Sequence, residues 1–297
     1  MDKHLRIAVT GTRGTLGSAL TRHIQAAGHT LLALNRPAHD ITNPRSIMSA
    51  IFDMRPDVVI HSAAYTNVDG AESEPEVAFA VNALGTRNVA LACAATGAPM
   101  VYISTNMVFF DEARHTPYLE FETPCPKGVY ATSKRAGEMY VEHLLTQFYI
   151  VRVSWLYGRE GDSFVHKIVR AADSRGALKV VADEIATPTY AEDLAQALLK
   201  LIRTGLYGWY HLVNEGECSR YEYAVQIMRL TGRQHIPIAP TMLADYVRPA
   251  PTPPYSTLKN FVGAQAGIVL RPWQEALADY LSSVKGVGTP TPSADRP

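Results

Sequence analysis

The chain has 297 residues, of which 47% are hydrophobic and 19% charged, as in an ordinary globular protein and unlike a disordered one. Lysine plus arginine and aspartate plus glutamate both number 28, and this balance leaves no overall field for nucleic acid or an anionic membrane. Three cysteines, far apart in the chain, exclude a disulfide framework and a zinc cluster.

Membrane and export signals are not expected either. No apolar run approaches the roughly 18 residues of a membrane-spanning helix. The N-terminal residues lead straight into a strand-like run, without the parts of a signal peptide. We therefore expect a soluble, cytoplasmic protein with no membrane partner and no nucleic-acid partner.

Short apolar runs rich in β-branched residues alternate with helical stretches in the first half of the chain. Continuous apolar strands separated by helices predict a parallel sheet covered on both faces. Right-handed crossovers then make it a doubly wound, Rossmann-type sheet, so the fold class is α/β. The predicted strands are residues 5–10, 31–35, 57–61, 100–104 and 149–154, with helices over 75–97 and 130–147.

The pattern loosens after about Gly158, which predicts a second part. We assign residues 1–157 to a Rossmann domain of the nucleotide-binding type, to which 188–213 are expected to return. A smaller C-terminal lobe takes 158–187 and 214–285, and 286–297 are predicted to be a disordered tail. In this second half we predict helices over 192–202, 220–232 and 271–284, a strand over 209–213, and an extended proline-rich loop over 248–256.

Gly11, Gly14 and Gly17 follow the first strand and open a helix. Glycines without Cβ atoms let phosphate groups approach the backbone amides, and a helix N-terminus favours an anion. A tight strand-to-helix turn is the alternative explanation for such glycines. The strand-turn-helix context favours a dinucleotide site.

The ends of the second and third strands are the next candidate cofactor positions. NAD-selective sites place an acid after the second strand, but Asn35 and Arg36 stand there. Arg36 suits the 2′-phosphate of NADPH, although a solvated loop residue is the alternative and NADH stays open. Asp40 and Ile41 are expected to flank the adenine. Small residues after the third strand allow a ligand to approach the sheet edge, with helix–sheet packing as their alternative role.

Tyr130 and Lys134 are four residues apart on a predicted helix and therefore share one face. A nearby ammonium favours tyrosinate, so we expect Lys134 to lower the phenol pKa of Tyr130 and prepare it for proton transfer. Such a spacing also arises by chance in a chain with 15 tyrosines. Its position, after the strand that ends in Ser104-Thr105-Asn106 and downstream of the glycine turn, gives it weight.

The glycine turn and the Tyr130/Lys134 pair resemble those of an extended short-chain dehydrogenase/reductase, and a longer series of segments resembles dTDP-4-dehydrorhamnose reductases. The resemblance covers most of the chain in order. It implies a Rossmann part, a smaller substrate-binding part, and hydride transfer from NAD(P)H to C4 of a nucleotide-linked 4-keto-6-deoxy sugar. The segments include PDVVIHSAAYTNVDGAESEPEVAFAVNALGTRNVA, ISTNMVF, VYATSKRAGE, VSWLYG, DEIATPTYAEDLA and PAPTPPYSTL.

The resemblance also implies residue roles. Tyr130 would protonate the carbonyl oxygen, Thr105 would hydrogen-bond the same oxygen, and Lys134 would hold the nicotinamide ribose. Asn106 and Trp155 would face the sugar together with Thr105 and Tyr130, although a core tryptophan is the alternative for Trp155. The turn, the strand ends and the resemblance together predict these cofactor contacts: Gly11, Arg13, Gly14, Thr15, Leu16, Asn35, Arg36, Asp40, Ile41, Ala63, Ala64, Tyr65, Ser104, Tyr130 and Lys134.

The chain departs from the family pattern at a few ligand-facing positions. The family usually has Ser-Thr-Asp-Tyr-Val-Phe, whereas this chain has Asn106 and Met107 in place of the acid and the tyrosine. Thr252 stands where the family has an arginine that would bind phosphate. Asn35 replaces the common acid after the second strand. An intact Thr105, Tyr130 and Lys134 beside these changes suggests an altered substrate preference.

Two other functions are compatible with the same features. One is a nucleotide-sugar epimerase or dehydratase of the same superfamily, since the cofactor groups are intact. The other is a cofactor-binding regulatory subunit like the beta subunit of methionine adenosyltransferase, because fold alone does not specify activity. No cluster calls for a metal, and a homodimer is expected only because such dimers are common.

Overall fold

The computed structural model of the protein describes residues 3–284, so the predicted tail over 286–297 lies outside the described residues. The strands are β1 (Arg6–Thr10), β2 (Thr30–Leu34), β3 (Val58–His61), β4 (Met100–Thr105), β5 (Phe148–Val153), β6 (Leu156–Tyr157), β7 (Leu178–Val181), β8 (Ile185–Ala186), β9 (Thr189–Tyr190), β10 (Gly208–His211), β11 (Cys218–Ser219) and β12 (Ile238–Thr241). The α-helices are α1 (Thr15–Ala26), α2 (Pro44–Met54), α3 (Val68–Ser73), α4 (Pro75–Phe79), α5 (Thr86–Thr96), α6 (Val129–Leu144), α7 (Phe164–Arg175), α8 (Ala191–Leu201), α9 (Arg220–Leu230), α10 (Val262–Gln265) and α11 (Trp273–Ser283).

The central sheet has six strands in the order β10–β5–β4–β3–β1–β2, and every pairing in it is parallel. This confirms the doubly wound parallel sheet predicted from the sequence. Because β2 and β3 lie on opposite sides of β1, a crevice opens beyond their carboxyl ends. Sheets of this kind bind ligands at that position.

Helices cover both faces of the sheet because successive strand residues point to opposite sides. Ile7 and Val9 are buried on the face covered by α1 and α8. Ala8, between them, is buried on the face covered by α2, α5 and α6. The helix α8 and the strand β10 both come from residues 188–213 and lie in this part of the molecule, while the proposed domain boundaries stay a prediction.

A second hydrophobic cluster is formed by α7, α9 and α11 with the short strands around them. It is rich in aromatic side chains, including buried Tyr157, Tyr190 and Tyr223. Three small two-stranded pairings, β6 with β9, β7 with β12 and β8 with β11, lie outside the six-stranded sheet. The proline-rich segment is extended beside β8, where the backbone N–H of Ser256 donates to the carbonyl of Ile185 at 2.9 Å.

The helix predicted over residues 75–97 is present, but its register changes in the middle. A six-residue π-helical segment, Ala80–Gly85, joins α4 to α5. Asn82 lies in this segment and is buried, and Gly85 packs so closely that a Cβ atom there would lie 2.9 Å from the side chain of Ile41. Such π segments frequently occur at functional sites, and Asn82 contacts the site described below.

By length and composition alone, the helical stretch Pro75–Thr96 could cross a membrane, with a mean hydropathy of 1.3. The sequence did not predict a candidate membrane span here, because polar residues such as Asn82 and Arg87 interrupt the apolar run. Its most apolar window is 56% buried inside the fold. That burial is typical of a core helix, so the stretch is not evidence of a membrane span.

A buried ion pair fixes α6, the helix that carries Tyr130 and Lys134, to the sheet. Arg152 on β5 donates through Nε at 2.9 Å and through Nη2 at 3.0 Å to the two carboxylate oxygens of Glu138. Arg152 is 2% exposed and Glu138 is 0% exposed. Burial by itself would raise the pKa of Glu138, but the hydrogen bonds and charge of Arg152 outweigh it and lower the pKa.

We expect Arg152→Met to lower the free energy of unfolding by about 3–5 kcal/mol, because the Glu138 carboxylate would stay buried without its main partner. Urea unfolding at neutral pH, followed by circular dichroism, measures the change. Arg170→Met is the matched control, since it removes an arginine from an exposed ion pair with Asp162 and should leave the unfolding midpoint unchanged. An Arg152→Met protein as stable as the wild type would contradict this role.

Candidate active site

One cleft of about 1410 Å³ lies beyond the carboxyl ends of β1, β3 and β4 and continues between the sheet part and the second cluster. Its size accommodates a dinucleotide and a second ligand together. Every candidate site residue predicted from the sequence lines this cleft, from the glycine turn to Trp155. The structure therefore brings these residues together, while their individual roles stay predictions.

The glycine turn is packed so tightly that two of its glycines have no substitute. Gly11 has a φ of +72°, and a Cβ atom there would lie 3.0 Å from the Cα of Ala63. A Cβ atom on Gly17 would overlap the carbonyl oxygen of Gly11. Gly14 caps α1 without a side-chain hydrogen bond to the first amides of the helix. Those amides are free to bind an anion, so the turn fits a cofactor diphosphate.

Asn35 holds the glycine turn against the end of β2. Its Oδ1 accepts a hydrogen bond from the backbone N–H of Thr12 at 2.9 Å, and its Nδ2 donates to the Thr12 hydroxyl at 2.6 Å. A carboxylate at this position could accept both bonds but could not donate. The Asn35 amide, which replaces the family's common acid, is thus hydrogen-bonded to Thr12 in the glycine turn. Being neutral, it would not repel the 2′-phosphate of NADPH.

Charged side chains surround the adenosine end of the cleft. Arg13 and Arg36 are both exposed there and line the cleft. Asp40 lines the cleft as well, and its Oδ1 accepts hydrogen bonds from the N–H and the hydroxyl of Thr42 at 2.9 and 2.8 Å. The two arginines favour the phosphate of NADPH over the bare ribose of NADH.

A chain of buried hydrogen bonds, which sequence reasoning missed, supports the loop after β3. His61 lies 2.8 Å from the Thr10 hydroxyl through Nδ1 and 3.1 Å from the Thr86 hydroxyl through Nε2. The Thr86 hydroxyl donates to the carbonyl of Asn82, so it accepts from Nε2–H and Nδ1 accepts from Thr10. Burial, and to a smaller extent the positive charge of Lys134, lowers the pKa of His61 to about 3. The imidazole ring is therefore neutral at neutral pH.

Asn82 is the second supporting residue that the sequence did not reveal. Its Oδ1 accepts from the N–H of Tyr65 at 2.9 Å, and its Nδ2 donates to the Tyr65 carbonyl and to the hydroxyl of Ser133. Ser133 in turn donates to the carbonyl of Tyr130 at 2.8 Å. The π segment therefore links the candidate cofactor loop to the first turn of α6. The role of Asn82 follows from its place in the π-helical segment, and the sequence pattern does not predict that segment.

Lys134 and Tyr130, on α6, line the cleft near the end of β4, where Lys134 is buried and Tyr130 is partly exposed. The Lys134 ammonium nitrogen donates to the carbonyl of Ile103 at 2.7 Å and lies 4.2 Å above the ring centre of Tyr102. Burial lowers the pKa of Lys134 to about 7, although the negative charge of Glu138 opposes this shift. Its position places an amine at the sheet edge, next to the strand that ends in Thr105.

The expected pKa shift of Tyr130 was wrong in direction. Burial raises the pKa of the Tyr130 phenol, and the Thr105 hydroxyl beside it acts in the opposite direction without overcoming burial. A charged lysine one helical turn away does not dominate, because removing the phenolate from water costs more. The phenol therefore stays protonated at neutral pH, which suits a group that donates a proton.

Trp155 lies in the cleft with one face already covered. Its backbone φ is +40°, an unusual conformation for a residue with a Cβ atom. The guanidinium carbon of Arg220 lies 3.5 Å from the centre of the indole ring. The sequence predicted an open aromatic face for a sugar ring, and the structure adds a cation on one side of it.

The comparisons with known proteins agree with this geometry. Residues 5–285 match the family described as RmlD substrate binding domain. A dTDP-4-dehydrorhamnose reductase of Mycolicibacterium smegmatis is 41% identical over 98% of this chain and 90% of its own length. The chain belongs to the dTDP-4-dehydrorhamnose reductase family.

Solved structures extend the match to three dimensions. The dTDP-4-dehydrorhamnose reductase of Bacillus anthracis, in complex with NADP, has a TM-score of 0.91 and 37% identity, and the match covers 95% of this chain and 100% of that one. The UDP-glucose 4-epimerase of Thermus thermophilus, at 23% identity and a TM-score of 0.78 over 95% and 99% of the two chains, shares the fold. The chain is therefore more similar to this reductase than to this epimerase, both in sequence and in structure.

Within this reductase family, Asn106 is a second departure that the structure explains. Its Nδ2 donates to the backbone carbonyl of Ser256 at 3.3 Å and to the Ser256 hydroxyl at 2.7 Å. Its Oδ1 lies 3.3 Å from the Thr105 hydroxyl. An aspartate could not donate to that carbonyl, so the amide ties the end of β4 to the proline-rich segment. Sequence reasoning did not identify Ser256 as this partner.

We expect Asn106→Asp to weaken this tie, because a carboxylate placed against the Ser256 carbonyl leaves that acceptor unpaired. The cost should be about 1–3 kcal/mol of unfolding free energy, measured by thermal or urea unfolding at pH 8. Ser256→Ala is the control, since it removes the hydroxyl acceptor but keeps the bond to the carbonyl, and it should cost less. Equal stability of Asn106→Asp and wild type would refute the assignment.

Proposed function

We propose that this member of the dTDP-4-dehydrorhamnose reductase family reduces the 4-keto group of a dTDP-linked 6-deoxy sugar, in the cytoplasm, with NADPH as the reductant. The observation that carries the proposal is the grouping of Thr105, Tyr130 and Lys134 at the end of β4, in one cleft with the glycine turn. Family membership supports the same reaction. The second ligand space, beyond Thr105, is the proposed place of the nucleotide sugar, and a homodimer stays a prediction.

NADPH, when bound, supplies the hydride that reduces the ketone. The residues of this chain would donate the proton and orient the reactants. Tyr130 donates its phenol proton to the carbonyl oxygen, and its raised pKa keeps that proton in place beforehand. The Thr105 hydroxyl, next to Tyr130, hydrogen-bonds the same oxygen and polarises the carbonyl.

Lys134 has two tasks in this proposal. It would hydrogen-bond the cofactor ribose, and its position on the Ile103 carbonyl presents it from the sheet edge. With a pKa of about 7 it is partly protonated at neutral pH, so its charge stabilises the phenolate that forms when Tyr130 gives up its proton. Gly11, Gly14 and the first amides of α1 would hold the diphosphate of the cofactor.

We expect Tyr130→Phe to lower kcat about 10²- to 10⁴-fold while NADPH binding is retained, because only the proton donor is removed. Reduction of a dTDP-4-keto-6-deoxy sugar, followed by loss of NADPH absorbance, measures the rate. Tyr140→Phe is the matched control on the same helix, outside the cleft, and should keep full activity. Wild-type protein that reduces no such sugar would refute the proposed function, and unchanged turnover in Tyr130→Phe would refute the role of Tyr130.

We expect Arg36→Ala to raise the KM for NADPH about tenfold and to leave the KM for NADH nearly unchanged, since the arginine is proposed to bind the 2′-phosphate. Parallel titrations with the two cofactors provide the measurement. Arg45→Ala removes another exposed arginine, at the start of α2 and outside the cleft lining, and serves as the control. An equal change for both cofactors would argue against a 2′-phosphate contact.

A further inference from the structure

Arg220 is a cleft residue for which the reaction just described has no task. It is the first residue of α9 and lines the same cleft as Thr105, Trp155 and Ser256. Its guanidinium carbon lies 3.5 Å from the centre of the Trp155 ring and 5.0 Å from the centre of the Phe164 ring. A planar guanidinium between two aromatic side chains is held in one orientation.

Glu184 fixes Arg220 from the other side. Arg220 donates to Oε1 of Glu184 through Nε at 3.1 Å, and its Nη2 lies 3.0 Å from the same oxygen. The backbone N–H of Arg220 also donates to the carbonyl of Glu184, at 3.1 Å. Two of the three guanidinium nitrogens therefore face Glu184. Nη1 has no hydrogen-bond partner in the part of the chain that the structure describes, and it is left to bind a ligand.

Arg248 is the one cationic residue of the proline-rich segment over 248–256. Thr252 occupies the position in the proline-rich segment where an arginine was expected from the family pattern, and its Oγ1 is buried without a partner in residues 3–284. Arg248, nearby in the chain, is engaged by Asp69 at 2.9 Å. Thr252 therefore offers a diphosphate no guanidinium, and the one arginine of the segment is paired with Asp69.

The wall that carries Arg220 has further positive charge. Lys167 follows Phe164 by one turn on α7 and lines the cleft. Glu184 offsets the charge of Arg220, so the exposed ammonium of Lys167 would provide the net attraction while Arg220 provides the rigid donor. Phosphate groups are bound in this way when a planar guanidinium is combined with a mobile ammonium.

From this arrangement we propose that Arg220 binds the diphosphate of the nucleotide-sugar substrate, with Glu184 and Trp155 fixing its guanidinium. The inference rests on the proposed function for the identity of the ligand. It assigns the phosphate contact to α9, in the second cluster, and not to the position of Thr252. Trp155 then has a supporting task in addition to any contact with the sugar.

The decisive variant is Arg220→Met, which keeps an unbranched side chain on Trp155 and removes the guanidinium. Calorimetric titration with dTDP tests the diphosphate contact without requiring any turnover. We expect the Kd for dTDP, and the KM for a dTDP-4-keto-6-deoxy sugar, to rise about tenfold to hundredfold. The Kd for NADPH should be unchanged, and kcat should stay within about threefold of wild type.

Two further variants complete the test. Arg229→Met removes an exposed arginine at the other end of α9, so it should bind dTDP like the wild type. Arg220→Lys keeps the charge but loses the planar fork, and it should show an intermediate loss. If Arg220→Met unfolds, as shown by lost NADPH binding, Arg220→Lys decides, and wild-type affinity for dTDP in that variant overturns the proposal.

The outcomes separate this inference from the proposed reaction. Wild-type affinity for dTDP in Arg220→Met overturns the inference even if the protein reduces a nucleotide sugar. Weakened dTDP binding in that variant supports the inference even if no ketone is reduced, because the titration does not depend on chemistry. Failure of the wild type to bind dTDP at all overturns it as well.

Discussion

The buried carboxylate of Glu138 is the group on which the arrangement of the active site depends. It lies inside the protein, without exposure to solvent, between the sheet and the helix that carries Tyr130 and Lys134. Arg152 from β5 meets both of its oxygens, and Arg135 from α6 adds a contact at 2.9 Å. The Glu138 charge therefore contacts two guanidinium groups, of which Arg135 also pairs with Glu142, and it opposes the loss of charge on Lys134.

The negative charge of Glu138 favours the charged form of Lys134 and so offsets part of the cost of burying that lysine. Lys134 reaches the carbonyl of Ile103 at the sheet edge, and its pKa falls to about 7 because water is excluded. The same exclusion raises the pKa of Tyr130. Burial thus shifts the two pKa values in opposite directions. The Lys134 ammonium loses its proton more readily, and the Tyr130 phenol keeps its proton more firmly.

The substrate side of the cleft is connected to the sheet through short polar contacts. Asn106 reaches Ser256 in the proline-rich segment, and the π segment connects the loop after β3 to α6 through Asn82. These contacts are made by amides, which donate and accept at once. They explain why an amide can replace an acid beside an unchanged set of Thr105, Tyr130 and Lys134. In the same cleft, Arg220 is held by Trp155 and Glu184 in a comparably rigid way.

The sequence by itself determined the parallel sheet, the glycine turn and the spacing of Tyr130 and Lys134, because these follow from local periodicity and from the needs of a phosphate. It also determined the family, since the motifs occur in order over most of the chain. Only the tertiary structure decided the direction of the Tyr130 pKa shift, which depends on burial. The partners of Asn106, Asn82 and Arg220 likewise come from distant parts of the chain, as with the 150 residues that separate Asn106 from Ser256. Local pattern carries no information about such contacts, because packing alone brings those segments together.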